Sequence, residues 1–204
     1  MYVLRKIFLI LALSSGILAS NLDETSLGVR YYQELKNLSD SQLDTLLKVW
    51  RYGVDDDLSY TLAAIAWKES NFGKYTLNLS DGKYGSFGVF HINLEYHIKR
   101  VKASSNWSRD REAEKLLNSL EYSTSHALGV LKYYISYHTK KSGGKSSLVK
   151  AIASYNAGFN HKSSKGQAYS KDVVLRIKVL TQFFKQRELE GKLKAIKIAE
   201  LPKY

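Results

Sequence analysis

From about residue 40 to about residue 190, apolar residues recur at the three- and four-residue spacing of amphipathic helices, with short polar segments between the periodic stretches. The chain has a single proline, and few segments alternate apolar and polar residues as half-buried strands do. No repeat and no internal domain boundary interrupts this pattern. The sequence therefore predicts one all-α domain over residues 39–190.

The predicted helices begin at a capping box, because Ser39 and Gln42 have the spacing at which two side chains bond the first free N–H groups of a helix. This helix should end near Gly53. Residues 71–90 are rich in Gly, Ser, Asn and Tyr, which predicts loops or short strands, with a β-like region around residues 75–90. We expect residues 21–38 to form a loosely attached lead-in. Further helices are predicted over residues 58–70, 94–101, 112–120, 122–138, 148–155 and 169–189, followed by a C-terminal tail over 191–204.

The N-terminus has the layout of a secretory signal peptide. Arg5 and Lys6 precede an apolar run over residues 7–13, and small residues follow. The alternative is an N-terminal membrane anchor, but this run is short for the roughly twenty apolar residues that span a bilayer. We therefore predict a signal peptide over residues 1–20 and an exported protein of the periplasm or cell envelope.

The chain is strongly basic and has no cysteine, with 31 Lys and Arg against 19 Asp and Glu and a formal net charge of +12. A basic surface suits nucleic acid, an anionic membrane or an anionic polymer. Export argues against nucleic acid and favours a cell-wall polymer, although the lysines could equally serve only solubility. Without cysteine there are no disulfides and no lipoprotein anchor, so packing alone must hold the core.

Glu69 is the one charged residue that falls on the apolar side of the helix predicted over 58–70. It follows Leu62 by seven positions and Ile65 by four, which places it in the middle of the apolar stripe. Burying a carboxylate costs free energy unless the group is paired or protonated, and burial favours the protonated form. A protonated carboxyl at a helix end can donate its proton to a glycosidic oxygen. A glutamate paired with a lysine is the alternative.

Three segments carry a family resemblance. They are Glu-Ser-Asn-Phe-Gly at 69–73, Gly-Ser-Phe-Gly-Val-Phe-His-Ile at 85–92 and Ala-Ile-Ala-Ser-Tyr-Asn-Ala-Gly at 151–158. In this order they resemble the motifs of the soluble lytic transglycosylase (SLT) domain, a glycoside hydrolase family 23-like member of the lysozyme-like superfamily. Weaker matches lie at Leu128-Gly129 and at Tyr169 with Val173-Val174. The resemblance covers about residues 55–180 and implies a lysozyme-like helical domain with a substrate groove.

The resemblance implies an enzyme that cleaves the β-1,4 bond between N-acetylmuramic acid and N-acetylglucosamine and forms 1,6-anhydromuramoyl ends. Glu69 would act as the single general acid and base, with no cofactor and with peptidoglycan glycan strands as substrate. One alternative is a hydrolytic muramidase of the goose-lysozyme kind. Another is a non-catalytic peptidoglycan-binding accessory of a secretion apparatus, although the presence of the acid argues against it. We expect a monomer with possible envelope-machinery partners and no nucleic acid.

The same resemblance assigns the other site residues. Ser86 would contact a sugar near the acid, Phe90 would form a groove wall, and the phenol of Tyr155 would approach the catalytic carboxyl. Asn156 would bind substrate or tie the loop after its helix. Tyr169 and His91 complete the predicted substrate-binding set. Three glycines are predicted to be structural: Gly85 and Gly88, where the backbone adopts positive φ or passes close to a ligand, and Gly158, where the chain turns sharply.

Two residues depart from the family pattern. His91 stands where relatives have glutamine, and it could donate one hydrogen bond to a glycan in a pH-sensitive way. Lys165 stands where relatives have a glutamate, four residues before Tyr169. The five histidines lack the spacing of a metal site, so we predict no metal.

Overall fold

A computed structural model describes residues 26–142 and 147–186, and these contain eight α-helices and one short sheet. This confirms the predicted all-α, lysozyme-like fold class. The predicted signal peptide and C-terminal tail lie outside the described residues. The helices are α1 Ser26–Lys36, α2 Asp40–Tyr52, α3 Ser59–Ser70, α4 Leu94–Arg100, α5 Asn106–Asn118, α6 Leu120–Lys141, α7 Leu148–Ala157 and α8 Ser164–Gln186. The strands are β1 Leu77–Asn78, β2 Ser86–Phe87 and β3 Ile92–Asn93, and a 3-10 turn, Gly158–Asn160, follows α7.

Helix α3 is the centre of the fold. It packs against α2, α6 and α8, and its residues from Leu62 to Trp67 are almost completely buried. The sequence predicted a single apolar stripe, but a helix enclosed on several sides is apolar almost all round. Near the C-terminal end of α3, Lys68 is exposed and Glu69 is partly exposed, which brings the glutamate from the interior to the edge of the domain.

Helix α1 shows that the predicted loose lead-in is wrong for residues 26–36. Tyr31 and Leu35 are buried against the core, with their side chains on one face because they lie four residues apart. The Tyr31 hydroxyl donates a hydrogen bond to Asp172 on α8, and the Arg176 guanidinium lies 4.0 Å from the Tyr31 ring centroid. These contacts fasten α1 to the longest helix of the described structure.

The predicted capping box opens α2. The Gln42 N–H donates to the Ser39 hydroxyl at 3.3 Å, and the Ser39 N–H donates to the Gln42 side-chain oxygen at 3.1 Å. The Gln42 amide also donates to the Asn71 carbonyl at 2.9 Å. The start of α2 is thereby bonded to the exit of α3, directly after Glu69.

Helices α5 and α8 begin earlier than predicted, at Asn106 and Ser164. Their first turns are mostly polar and exposed, so no apolar periodicity marks them in the sequence. Ser105 caps α5 through a capping box with Ser108. A polar cap therefore determines this helix start, and the packed face begins only at Glu112 and Leu116.

The short strands confirm the predicted β-like region and extend it to Asn93. They form an antiparallel sheet in the order β1-β2-β3, with Ser86 opposite both Asn78 and Asn93. The loop from Gly88 to His91 joins β2 to β3 and runs beside the end of α3. The sheet therefore places the second predicted motif next to the first.

A buried polar cluster joins α4, α5 and α6. The Nε2 atom of His97 lies 2.9 Å from a Glu112 carboxyl oxygen, and the Tyr122 hydroxyl donates to the same oxygen at 2.5 Å. Lys115 donates to the other Glu112 oxygen at 2.6 Å, and His97 Nδ1 lies 3.3 Å from Nε2 of His126. Two neutral histidines satisfy this chain of contacts, with His126 donating to His97 and His97 donating to Glu112.

The ionisation of this cluster is set by burial and by its own hydrogen bonds. Burial would raise the pKa of Glu112, but the bonds from Lys115, Tyr122 and His97 outweigh it and lower the pKa to about 2. Burial, together with the charge of Arg100 and repulsion from any proton gained by neighbouring His97, lowers the pKa of His126 to about 3. Burial also lowers the pKa of His97.

We expect this cluster to make the fold sensitive to acid. The unfolded chain protonates its histidines near pH 6.5, whereas folded His126 does so near pH 3, so the stabilisation present above pH 6.5 is lost as pH falls. The Glu112 contribution, present above pH 4.5, is lost between pH 4.5 and 2. Urea unfolding at about pH 7 and about pH 4 should show a smaller loss of stability for His126→Gln than for the parent chain. His161→Gln is the matched control, and equal losses for the parent and His126→Gln would contradict the assignment.

Candidate active site

The Glu69 carboxyl is enclosed by groups from distant parts of the chain. Its side chain is 17% exposed, so it is neither sealed in the core nor open to solvent. One carboxyl oxygen, Oε1, accepts a hydrogen bond from the Tyr169 hydroxyl of α8 at 2.5 Å. The other, Oε2, lies 3.6 Å from Nδ1 of His91. This arrangement holds a carboxyl at the domain edge with one oxygen fixed.

The backbone directly after Glu69 is strained. Asn71, Phe72 and Gly73 have φ values of 52°, 56° and 84°, three consecutive residues in the left-handed region. Asparagine and glycine accept this conformation, but it costs a bulky residue such as Phe72 free energy. The cost is offset by packing, because the Phe72 ring is buried and stacks on Trp67 with 5.8 Å between ring centroids. The sharp exit ends α3 directly after the glutamate.

Ser70 is a site residue that the sequence analysis missed. Its hydroxyl is fully buried, donates to the Val89 carbonyl at 2.7 Å and accepts from the Gly73 N–H at 2.8 Å. It thereby joins the end of α3 to the loop that carries His91. The only available signal was its place directly after Glu69 in the first motif.

His91 belongs to the hydrogen-bond network of the site. Its φ is 44°, its Nε2 lies 2.8 Å from the Tyr75 carbonyl, and its Nδ1 faces Glu69. Burial would lower the pKa of His91, but the contact with the nearby Glu69 carboxyl, the hydrogen bond to the Tyr75 carbonyl and the charge of Asp81 raise it above 6.5. Nε2 is therefore committed to the protein backbone, and the predicted hydrogen bond from His91 to a glycan stays a prediction.

Both predicted tyrosines lie close enough to the acid for the Glu69 charge to act on their phenols, but of the two only Tyr169 is hydrogen-bonded to the carboxyl. Tyr169, predicted to bind substrate, is buried and donates to Glu69, whereas Tyr155, predicted to approach the carboxyl, donates to the Phe90 carbonyl at 3.2 Å. Burial and the negative charge of Glu69 raise the pKa of both phenols well above 10, so both hydroxyls keep their protons as donors. The sequence order of the motifs did not reveal which phenol reaches the acid.

The structure contradicts the substrate contacts predicted for the side chains of Ser86 and Phe90, because both are fully buried. Phe90 packs in the hydrophobic core. The Ser86 hydroxyl donates to Asp81, and the Asn93 side-chain amide lies 3.3 Å from the same Asp81 oxygen. Asp81 thus holds β2 and β3 together, a structural use for a carboxylate that could otherwise have served as a second acid.

Asn156 and the predicted glycines lie where the backbone turns. The Asn156 side-chain oxygen is buried and has no hydrogen-bond partner among the described residues, so the predicted tie to its loop is not made through that atom. Gly85 and Gly88 adopt positive φ as predicted, at 80° and 77°, and Gly158, where a sharp turn was predicted, has a φ of 57°. Lys165, the second departure from the family pattern, is exposed on the first turn of α8.

Two surface cavities flank this region. One of about 310 Å³ is lined by α1, α2 and the exit of α3, including Asn71 and Lys74. The other, of about 550 Å³, lies between the sheet and α5 and includes Phe87 and Arg109. Glu69 lines neither of them. The continuous groove that the resemblance implies stays a prediction.

Over 26–142 and 147–186, no group of three or more His, Cys, Asp or Glu side chains is arranged to hold a metal ion. In the same residues, no helix combines the length and apolar character needed to cross a membrane.

Comparison with known proteins agrees with this geometry. The model of the transglycosylase SLT domain matches residues 48–174. The chain is 35% identical over 118 residues to the uncharacterized 20.7 kDa protein in the vs-regB intergenic region of Enterobacteria phage T4, covering 57% of this chain and 59% of the phage protein. It is 27% identical over 127 residues to Protein IpgF of Shigella sonnei, covering 62% of this chain and 73% of that protein. No solved structure matches.

The family match includes all three motifs and the elements that bring them together. It begins inside α2 and ends on α8 beyond Tyr169, so it contains Glu69 and both of its neighbours in space. The family is one of glycan-cleaving enzymes, and its substrate is peptidoglycan. On this match, which spans more than half of the sequence, the chain belongs to the transglycosylase SLT domain family.

Proposed function

We propose that this chain is a peptidoglycan lytic transglycosylase that cleaves the β-1,4 bond between N-acetylmuramic acid and N-acetylglucosamine and leaves 1,6-anhydromuramoyl ends. The proposal rests on the Glu69 carboxyl, which lies at the domain edge. Its Oε1 accepts a hydrogen bond from the Tyr169 hydroxyl, and its Oε2 lies 3.6 Å from Nδ1 of His91. Export to the periplasm or cell envelope and a monomeric state belong to the same proposal.

In the proposed reaction, Glu69 first acts as general acid. Its proton passes to the bridging oxygen as the bond to the muramoyl C1 breaks, and the N-acetyl group of that sugar assists the departure. The Glu69 carboxylate then takes the proton from the 6-hydroxyl of the same sugar, whose oxygen bonds to C1. The acid returns to its starting state, and no water is consumed. Tyr169 keeps the carboxyl oriented throughout, because its buried hydroxyl remains protonated.

The use of Asp81 favours this reaction over hydrolysis. Hydrolysing glycosidases employ a second carboxylate as base or nucleophile. One Asp81 oxygen accepts hydrogen bonds from the Ser86 hydroxyl and the Asn93 side-chain amide. The Asp81 carboxylate therefore holds the sheet together. A muramidase is nevertheless the second candidate. The charge of Asp81 acts on His91, so a second carboxylate does lie near the site.

Identification of the released sugar ends tests the proposal. Purified sacculi are digested with the protein, and the fragments are analysed by mass spectrometry. We expect muramoyl ends lighter by one water than reducing ends, because the 6-hydroxyl replaces water as the nucleophile. Reducing muramic acid ends would instead establish a muramidase. Bound but uncut sacculi would support a non-catalytic accessory, for instance of an envelope machine.

A further inference from the structure

Asp172 joins three helices beside the acid. It lies on α8, three residues after Tyr169, so the two side chains are neighbours on that helix. Its Oδ2 lies 2.7 Å from Nζ of Lys68, the residue directly before Glu69 on α3. Its Oδ1 accepts the hydrogen bond from the Tyr31 hydroxyl of α1. Asp172 therefore contacts α3 next to the acid and lies on α8 next to the donor that orients the acid.

Arg176, one turn further along α8, holds this carboxylate in place. Its Nε lies 3.4 Å from Asp172 Oδ2, and its guanidinium carbon lies 4.0 Å from the Tyr31 ring centroid and 4.5 Å from that of Trp67. The two charged side chains are only 10% and 15% exposed, so water screens them weakly. Burial would raise the pKa of Asp172, but the hydrogen bonds from Lys68 and Tyr31 and the charge of Arg176 lower it, so Asp172 is an anion at neutral pH.

The hydrogen bond that orients the acid depends on the spacing between α3 and α8. The Tyr169 hydroxyl on α8 donates to Glu69 Oε1 on α3 at 2.5 Å, and such a bond requires the two oxygens to lie within about 3 Å of each other. A small shift of one helix against the other would release the carboxyl. The ion pair between Lys68 and Asp172 joins the same two helices beside this bond, so it opposes that shift.

We propose that Asp172 is a positioning residue for the general acid. Its ion pair with Lys68 fixes α3 to α8 at the spacing that the Tyr169 hydrogen bond requires, and the Tyr31 hydroxyl keeps Asp172 in place for that ion pair. The inference rests on the proposed function, because it concerns the acid of that reaction. It also gives α1 a part in catalysis, although α1 precedes the residues 48–174 that match the family.

The first test is Tyr31→Phe, because removing Asp172 itself would leave the buried Arg176 guanidinium without its counterion. The phenylalanine ring keeps the contact with Arg176 and loses only the hydroxyl. We expect kcat on soluble glycan fragments to fall by about tenfold, since a 1 Å misplacement of a catalytic group costs up to about 10²-fold. KM should change little, because the variant removes no group that we assign to glycan binding.

Tyr32→Phe is the matched control. It makes the same change at the next residue of α1 and also removes a hydrogen bond between α1 and α8, but that bond ends on Gln186, at the far end of α8 from Tyr169. Chemical denaturation should show similar losses of stability for the two variants, whereas only Tyr31→Phe should lose kcat. Equal kcat values for the two folded variants would mean that the Tyr31 hydroxyl serves the fold alone, and would overturn the inference.

Lys68→Gln tests the ion pair from its other side. It should lower kcat with little change in KM, and Lys68→Arg, which still carries a cation to Asp172, should restore most of the lost kcat. Lys132→Gln removes an ion pair of similar length, 2.6 Å to Asp56, before the start of α3 and at the opposite end of that helix from the acid. This control should keep the parent kcat. Parent kcat in Lys68→Gln, or a loss that Lys68→Arg does not reduce, would overturn the inference.

Failure of this inference and failure of the proposed function give different results. If Glu69→Gln still digests sacculi, the proposed function fails, and the role of Asp172 fails with it. If Glu69→Gln is inactive while Tyr31→Phe and Lys68→Gln turn over at the parent rate, only the present inference fails.

Discussion

Glu69→Gln should lower the rate of sacculus digestion by about 10²- to 10⁴-fold, the usual contribution of a positioned general acid and base. The amide has no acidic proton for the bridging oxygen and cannot take the proton of the 6-hydroxyl afterwards. Its carbonyl oxygen can still accept the Tyr169 hydrogen bond, so the site should keep its shape. We therefore expect loss of turnover with the fold and the binding of glycan retained.

The measurement compares the release of soluble fragments by the parent chain and by the variant, with thermal unfolding to verify the fold. Glu114→Gln is the matched control, because it makes the same chemical change at an exposed position on α5. It should digest sacculi at the parent rate. A Glu69→Gln protein that retains its activity would remove the basis of the enzymatic assignment.

Gly88→Ala should lower the free energy of unfolding by about 3 kcal/mol or more, which is more than we expect from a substitution at an exposed position. The residue has a φ of 77°, and an added Cβ would lie 2.2 Å from the Leu116 carbonyl oxygen of α5. That oxygen is part of a helix backbone and cannot move aside without disturbing the packing of α5 on the sheet. The strain of positive φ adds to this clash.

Gly82→Ala separates the steric clash of the added Cβ from the strain of positive φ. Gly82 also has positive φ, at 70°, but its added Cβ would lie 3.0 Å from the end of the Asn93 side chain, which can shift. We expect this variant to lose only about 1 kcal/mol, the cost of the backbone conformation. Chemical denaturation of both variants measures the difference. Equal losses would mean that the approach of α5 to Gly88 is not the cause.

Helices were predicted accurately where apolar residues recur along their whole length, and poorly where they do not. The helix predicted over 58–70 is observed as Ser59–Ser70, because its residues face the core from end to end. The prediction made helices α5 and α8 too short, because their polar first turns show no apolar periodicity. Helix α1 was missed, although Tyr31 and Leu35 face the core, because its remaining residues are mostly polar or exposed.

At the site, the acid and the structural glycines were predicted correctly, whereas several side-chain contacts were not. The acid and the three glycines follow from local features, namely a carboxyl on an apolar helix face and backbone positions that only glycine adopts easily. The assignments of Ser86, Phe90 and Tyr155 came from the order of motifs, which does not report the direction of a side chain. Burial of Ser86 and Phe90 in the structure removed both from contact with a glycan.

Local sequence was enough to establish the helical class, the acid at the end of α3 and the glycines of the sheet loops, since each depends on a few neighbouring residues. It could not establish what surrounds the acid. Tyr169 reaches Glu69 across 100 residues of chain, and His91 reaches it through the loop that Ser70 holds. Those partners depend on how α3, α8 and the sheet pack together, and packing between distant segments leaves no period or spacing in the sequence.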